Sequence, residues 1–157
     1  MSKITRHQQR IWSLQILYSI DLKNKFNLEN AEKEIKNIKE KNKLMEKKYY
    51  FEKLVIGIVE DRNNLDKYIN EKAVDWTIER MAVIDRNILR LSLYEMEEDL
   101  VPVGVAINEA VELAKEYGDD KSSGFINGIL ARTWFFSFFI LKFIIRNKVS
   151  KFTNKFL

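Results

Sequence analysis

Between Lys115 and Leu130 the chain reads KEYGDDKSSGFINGIL, placing Gly118, Gly124, Gly128, two serines and Lys121 together in a sequence with only 5 Gly and 1 Pro. Two readings are open. If Gly118 ends one helix in a left-handed cap and Ser122 or Ser123 caps the next, the stretch is a helix-turn-helix connection. If the amides of Ser122 to Phe125 are unpaired, the positive end of the second helix and Lys121 together make a seat for a phosphate. Tyr117 and Phe125 flank the same turn and can either stack on unpaired bases or pack into the core. A basic element lies at the other end of the chain, where Lys3, Arg6 and Arg10 fall within 20 residues that hold no carboxylate. At about 100° per helical residue, these three side chains lie within about 60° of one another.

Catalytic chemistry finds little support. Zero Cys removes disulfides and thiolate metal sites and is compatible with the cytoplasm. The sequence shows no P-loop, dinucleotide fingerprint, zinc-ligand pair or nucleophile elbow, so no metal, cofactor or enzymatic activity is expected. His7, the 1 histidine, reads as a surface polar group. The formal charge of +4 is unevenly placed: residues 133–157 carry five basic residues and no acid, leaving 22 basic and 23 acidic residues, net −1, over residues 1–132. The N-terminus lacks the uninterrupted apolar segment of an export signal, and none is expected.

The elements that position these residues read as helices. With 157 residues, 46% of them apolar, the chain suits one compact domain, and scarce Gly and Pro disfavour a many-stranded fold. In ITRHQQRIWSLQILYSIDL, Ile4, Ile11, Leu14 and Tyr18 share a face beside the basic stripe. The charge-rich LENAEKEIKNIKEKNKLMEKK reads as a peripheral helix with sparse apolar positions at Ile35, Ile38 and Leu44. Phe51, Leu54, Val55, Ile58, Leu65 and Ile69 predict one long helix from Tyr49 to about Ala73, weakened at Gly57. After a short turn near Trp76, Ile84, Ile88, Leu91 and Met96 mark another helix. Pro102 opens the next, whose Val103, Ala106, Ile107, Ala110, Val111 and Ala114 form an apolar stripe. Phe125, Ile126, Ile129 and Leu130 belong to the last. The fold class is all-α, an orthogonal or bundle-like domain without internal repeats.

QILYSID at 15–21, ILRLSLYEM at 88–96 and VPVGVAINEAVELAKEYGDDKSSGFINGIL at 101–130 resemble the bacterial NusB transcription antitermination family, over about residues 3–132. The resemblance implies a compact domain of six or seven helices. It also implies recognition of a single-stranded boxA element in nascent RNA, together with the small-ribosomal-subunit protein NusE and the transcription elongation complex. The process the resemblance implies is suppression of premature termination in ribosomal RNA synthesis. Arg6 and Arg10 match the family's arginine-rich motif, whereas His7 and Gln8 stand where relatives commonly carry arginine. Each lost phosphate contact lowers affinity and flattens its salt dependence. Tyr18 matches a tyrosine of the RNA surface, with Gln15 one turn away, and Tyr117 and Phe125 match aromatic positions of its second half. Lys121 adds charge at a variable loop position, and Lys3 and Ser122 complete the expected RNA-binding set. Asn108 and Asn127 suit structural hydrogen bonding better than base reading. Some family members self-associate, so a homodimer covering the basic N-terminus stays open beside a monomer.

The segment 133–157, TWFFSFFILKFIIRNKVSKFTNKFL, departs from the family. It holds 7 of the 10 Phe. Its apolar run from Trp134 to Ile145 is shorter than the about 20 residues of a membrane span. A helix packed on the core, an interfacial membrane anchor with basic flanks and a non-native reading frame are the three readings, with a terminal helix over Thr133–Ile145 preferred. Two other function classes stand beside RNA binding: a fragment of an RNA cytosine methyltransferase, from which a methyl-donor domain would be missing, and a membrane-associated adaptor held by the Phe-rich segment.

Overall fold

The structure is a computed structural model describing residues 3–46 and 48–134, and all regular structure among them is helical. Helix α1 spans Arg6–Leu22, its start satisfied by the Thr5 side chain, which accepts from the Gln8 N–H at 3.0 Å. Asn24, in the left-handed region at φ 54, closes its end, with Asn24 and Lys25 N–H donating to the carbonyls of Asp21 and Ile20. Lys43 and Asp99 close two further helices with the same pattern of bonds. Polar residues thus perform the capping for which a glycine-poor chain has few glycines.

Helix α2 (Leu28–Lys41) is capped by Asn27 and buries Ala31 and Ile35. The single helix expected over 49–73 is instead two, α3 (Tyr50–Glu60) and α4 (Arg62–Lys72), meeting at Asp61 with φ −99 and ψ 12. The two differ in their tertiary partners: α3 packs on α1, α2 and α5, while α4 packs mainly on α5, burying Leu65 and Ile69 and making the ionic contact described below. Gly57 has a packing role within α3, because a Cβ there would meet the Tyr94 hydroxyl at 1.9 Å.

A 3-10 turn at Ile78–Arg80, rather than structure at Trp76 itself, leads into α5 (Val83–Glu97). Helix α6 (Val103–Tyr117) follows Pro102, and α7 occupies residues 122–134. The expected α6 stripe divides: Ala106, Ala110 and Ala114 are buried, whereas Val103, Ile107 and Val111 line a groove of about 690 Å³ shared with α7. Asn108 and Asn127 face the same groove. Helix α7 runs without interruption through the boundary expected at Arg132, with the Thr133 hydroxyl donating to the Ile129 carbonyl at 3.0 Å. The expected helix beyond Trp134 lies outside the described residues, as does the rest of the Phe-rich segment. No helix among the described residues is long and apolar enough to cross a membrane.

Helix α5 is the centre of the packing, against α1, α3, α4 and α6. It also carries charge into the interior. Arg90, 1% exposed, donates to both Asp66 oxygens at 2.7 and 2.9 Å and to Asp21 at 2.8 Å. Arg86 grips Asp21 with two bonds of 2.7 Å, and Asn87 adds one of 2.8 Å. The guanidinium carbons of Arg62 and Arg90 lie 4.7 and 4.8 Å from the Phe26 ring centroid. Burial alone would push the Asp21 carboxyl up, but Arg86, Arg90 and Asn87 together hold it below the usual range.

Removing one member of such a cluster leaves buried charge without its partner, at a typical cost of about 3–5 kcal/mol. Asp21→Asn is expected to lose that amount in urea unfolding near neutral pH. A carboxyl whose folded pKa is depressed stabilises fully above its unfolded value of about 3.9, and the contribution disappears as pH falls through the folded value. The gap between wild type and Asp21→Asn should therefore narrow below about pH 4; a gap unchanged in acid would contradict this account.

Candidate nucleic-acid interface

The basic stripe expected along α1 is divided by the fold. Lys3 and Arg6 are exposed, and the Arg6 guanidinium carbon lies 3.8 Å from the Tyr50 ring centroid. Arg10 turns inward and is 3% exposed, which corrects its placement on a surface phosphate. The physical reason is a buried acid: Arg10 Nε donates to Glu95 Oε1 at 2.8 Å, and the Tyr50 hydroxyl donates to the same oxygen at 2.5 Å. Glu95 is fully buried, and its Oε2 has no hydrogen-bond partner among the described residues. Burial pushes the Glu95 carboxyl above its ordinary range, while Tyr50 and Arg10 pull against that shift. His7 is partly exposed between two acids of α6, with Nδ1 2.7 Å from Glu109 and Nε2 3.7 Å from Glu116.

Three expected contacts do come together. Gln15, Tyr18 and Tyr117 line a recess of about 310 Å³ whose remaining wall is Ile11, Leu14 and Ile84. Four of these lie on one face of α1 at the spacing i, i+3, i+4 and i+7, so helical periodicity builds one wall. Helix α5, packed between α1 and α6, supplies Ile84, and the end of α6 supplies Tyr117. Tyr18 and Tyr117 remain 38% and 40% exposed, leaving ring surface available at the recess. Along α1, the nine residue steps from Arg6 to Gln15 span about 14 Å at about 1.5 Å each.

The turn after Tyr117 differs from both expectations for it. Gly118 is extended at φ −88 and ψ −175, not left-handed. Space explains the glycine, since a Cβ there would meet Ser122 Cβ at 2.4 Å and the Ala114 carbonyl oxygen at 2.7 Å. Asp119 caps the following helix: its carboxylate accepts from the Lys121 N–H at 2.8 Å, and its N–H donates to the Ser122 hydroxyl at 3.0 Å. These contacts displace Ser122 and Ser123 from the expected capping role. Ser122 itself is buried, and its N–H, like that of Phe125, donates to a backbone carbonyl within the turn. The Asp119 carboxylate thus sits at this helix start, and two of the four amides of the expected phosphate seat, those of Ser122 and Phe125, are already paired. The hydrogen bond from the Lys121 amide, aided by Ser122, holds the Asp119 carboxyl below the usual range. Lys121 is exposed, whereas Phe125 is half-buried against the core.

The model of the NusB family matches residues 7–134. The chain belongs to the NusB family. The transcription antitermination protein NusB of Halothermothrix orenii is 56% identical over 131 residues, covering 83% of this chain and 97% of that one. Among solved structures, Thermotoga maritima NusB superposes with a TM-score of 0.71 at 31% identity, covering 83% of this chain and 91% of that chain. A crystal structure of the antitermination factors NusB and NusE in complex with dsRNA gives 0.69 at 28% identity, covering 81% and 93%. The resemblance carried by residues 15–21, 88–96 and 101–130 is thus borne out, as is the all-helical NusB fold.

Sequence reasoning missed Tyr50 and the buried Glu95 as the support beneath this surface, and Ile84 as part of its recess. Tyr50 lies at the start of α3 among apolar residues, and Glu95 follows the apolar run of α5, so neither carries a local signal of its role. Arg10→Ala is expected to lose about 3–5 kcal/mol of folding stability because it strands Glu95. Arg6→Ala should lose less than about 1 kcal/mol, the scale of an exposed cation–π contact. Urea unfolding of the two variants checks the division; equal losses would overturn it.

Proposed function

We propose that this NusB-family protein acts in transcription antitermination by holding single-stranded boxA-like RNA, jointly with NusE, on the transcription elongation complex during ribosomal RNA synthesis in the cytoplasm. The observation that carries the reading is the recess flanked by Tyr18 and Tyr117 on the exposed face of α1 and α6, in a chain of this family. Exposed aromatic faces accept unpaired bases with little sequence demand, and nearby cations follow the backbone. Lys3, Arg6 and Lys121 take the phosphates, Tyr18 and Tyr117 stack, and Gln15 offers an amide to a base edge. Phe125 shapes the surface from partial burial, Ser122 orders the turn, and Arg10 anchors α1 from inside. The role is binding, without covalent chemistry. The family relative crystallised with NusE and dsRNA supports both an RNA and a NusE partner. A homodimer covering Lys3 and Arg6 would compete with RNA and serve as an inactive store.

Fluorescence anisotropy of a labelled boxA-like RNA against a scrambled RNA, with and without NusE, tests this reading. Preferential binding strengthened by NusE is expected. Tyr117→Ala and Tyr18→Ala should each weaken it by roughly 5- to 150-fold, the range of one lost base stack. Equal affinity for both RNAs with NusE present, from folded monomer, would remove the proposal.

A further inference from the structure

The cation of α1 that faces solvent is not held by α1 alone. Arg6 stacks on Tyr50 of α3 at 3.8 Å, and the Tyr50 hydroxyl is bonded to the fully buried Glu95 of α5. Arg10, one turn further along α1, clamps the same Glu95 oxygen, and its guanidinium carbon lies 5.9 Å from the same ring. The Tyr50 ring is therefore fixed at its hydroxyl end by a carboxylate that is itself held. Burial and the bond to Glu95 both raise the pKa of the Tyr50 hydroxyl, keeping it a donor throughout the neutral range.

We propose that Tyr50 is a positioning residue for RNA binding, which holds the Arg6 guanidinium in the orientation that a phosphate meets. The inference rests on Arg6 contacting RNA, as argued above. A long solvent-exposed arginine loses rotamer freedom when it takes a phosphate, and a side chain already ordered loses less. Stacking suits this task because the five N–H donors lie in the guanidinium plane, so a ring against one face uses none of them. The buried carboxylate thereby gives the two arginines different duties: Arg10 secures the support, and Arg6 stands on it.

A double-mutant cycle reads the coupling. RNA affinity and its salt dependence are measured with NusE present for wild type, Arg6→Ala, Tyr50→Leu and the double variant, with Tyr50→Phe as the variant that keeps the ring. Arg6→Ala should weaken binding and reduce the magnitude of the salt slope by about 0.7, the value for one phosphate contact to a single strand. Tyr50→Leu should weaken binding about two- to fivefold, the scale of one cation–π contact, but should add nothing once Arg6 is alanine. Tyr50→Phe should retain most of the affinity. Equal losses from Tyr50→Leu in both backgrounds, or no loss where Arg6→Ala has one, would overturn the positioning role while leaving the RNA reading intact. An Arg6→Ala protein that binds like wild type would instead overturn the assignment of Arg6 to RNA, and the inference with it. Should Tyr50→Leu fail to fold, the Arg6 side-chain Nε–H resonance of wild type decides: a ring-current shift retained in Tyr50→Phe is expected, and its absence in wild type defeats the proposal.

Discussion

A charge removed from water has to bring its partners with it, and α5 imposes that condition on the helices around it. Arg90 and Glu95 are almost completely enclosed, at 1% and 0% exposure. Arg90 requires Asp21 from α1 and Asp66 from α4, while Glu95 requires Arg10 from α1 and Tyr50 from α3. An apolar core tolerates sliding of one helix along another better than a set of directional bonds does, because hydrophobic attraction is non-directional. Replacing such a cluster wholesale by apolar residues can be neutral, but losing one partner strands a charge. Helix α1 is consequently held at both ends, by Arg10 near its start and Asp21 near its finish.

The same condition shapes the surface proposed to meet RNA. Glu95 draws Arg10 inside, and with it goes one of three cations that helical spacing alone would place on a common stripe. What remains outside is Arg6 on its tyrosine support, Lys3 beyond it, and a recess further along α1. Acids intrude as well. Glu109 and Glu116 bracket His7, and Asp119 occupies the start of α7. Such a surface has less positive charge than its arginines and lysines suggest, which gives ring surface at Tyr18 and Tyr117 a larger share of the proposed binding.

Much of this was legible beforehand and some was not, for reasons that differ by residue. Helix existence followed from apolar spacing in α1, α5, α6 and α7, since a side chain's face is set by helical periodicity before any packing occurs. The break at Asp61 was invisible because Leu65 and Ile69 continue the apolar face of α3, and only the partners of α4 separate it. Gly118 is a special position through crowding by Ser122 and the Ala114 carbonyl rather than through a left-handed backbone, which no local pattern reveals. Gln15, Tyr18 and Tyr117, named by the family resemblance, lie in one recess, and Ile84, whose spacing marks only a helix, packs against the core and lines that recess as well.

By itself the sequence determined the helical class, the family and the residue types available at the proposed surface. These depend on local periodicity and on motifs contiguous in the chain. Only the tertiary structure decided which of those residues face solvent. Arg10 and Glu95 are 85 residues apart and Tyr50 and Glu95 are 45 apart, so no local pattern announces their meeting. Two arginines one turn apart on the same helix, chemically identical, receive opposite environments because a single buried carboxylate lies within reach of one guanidinium and, through a tyrosine ring, supports the other.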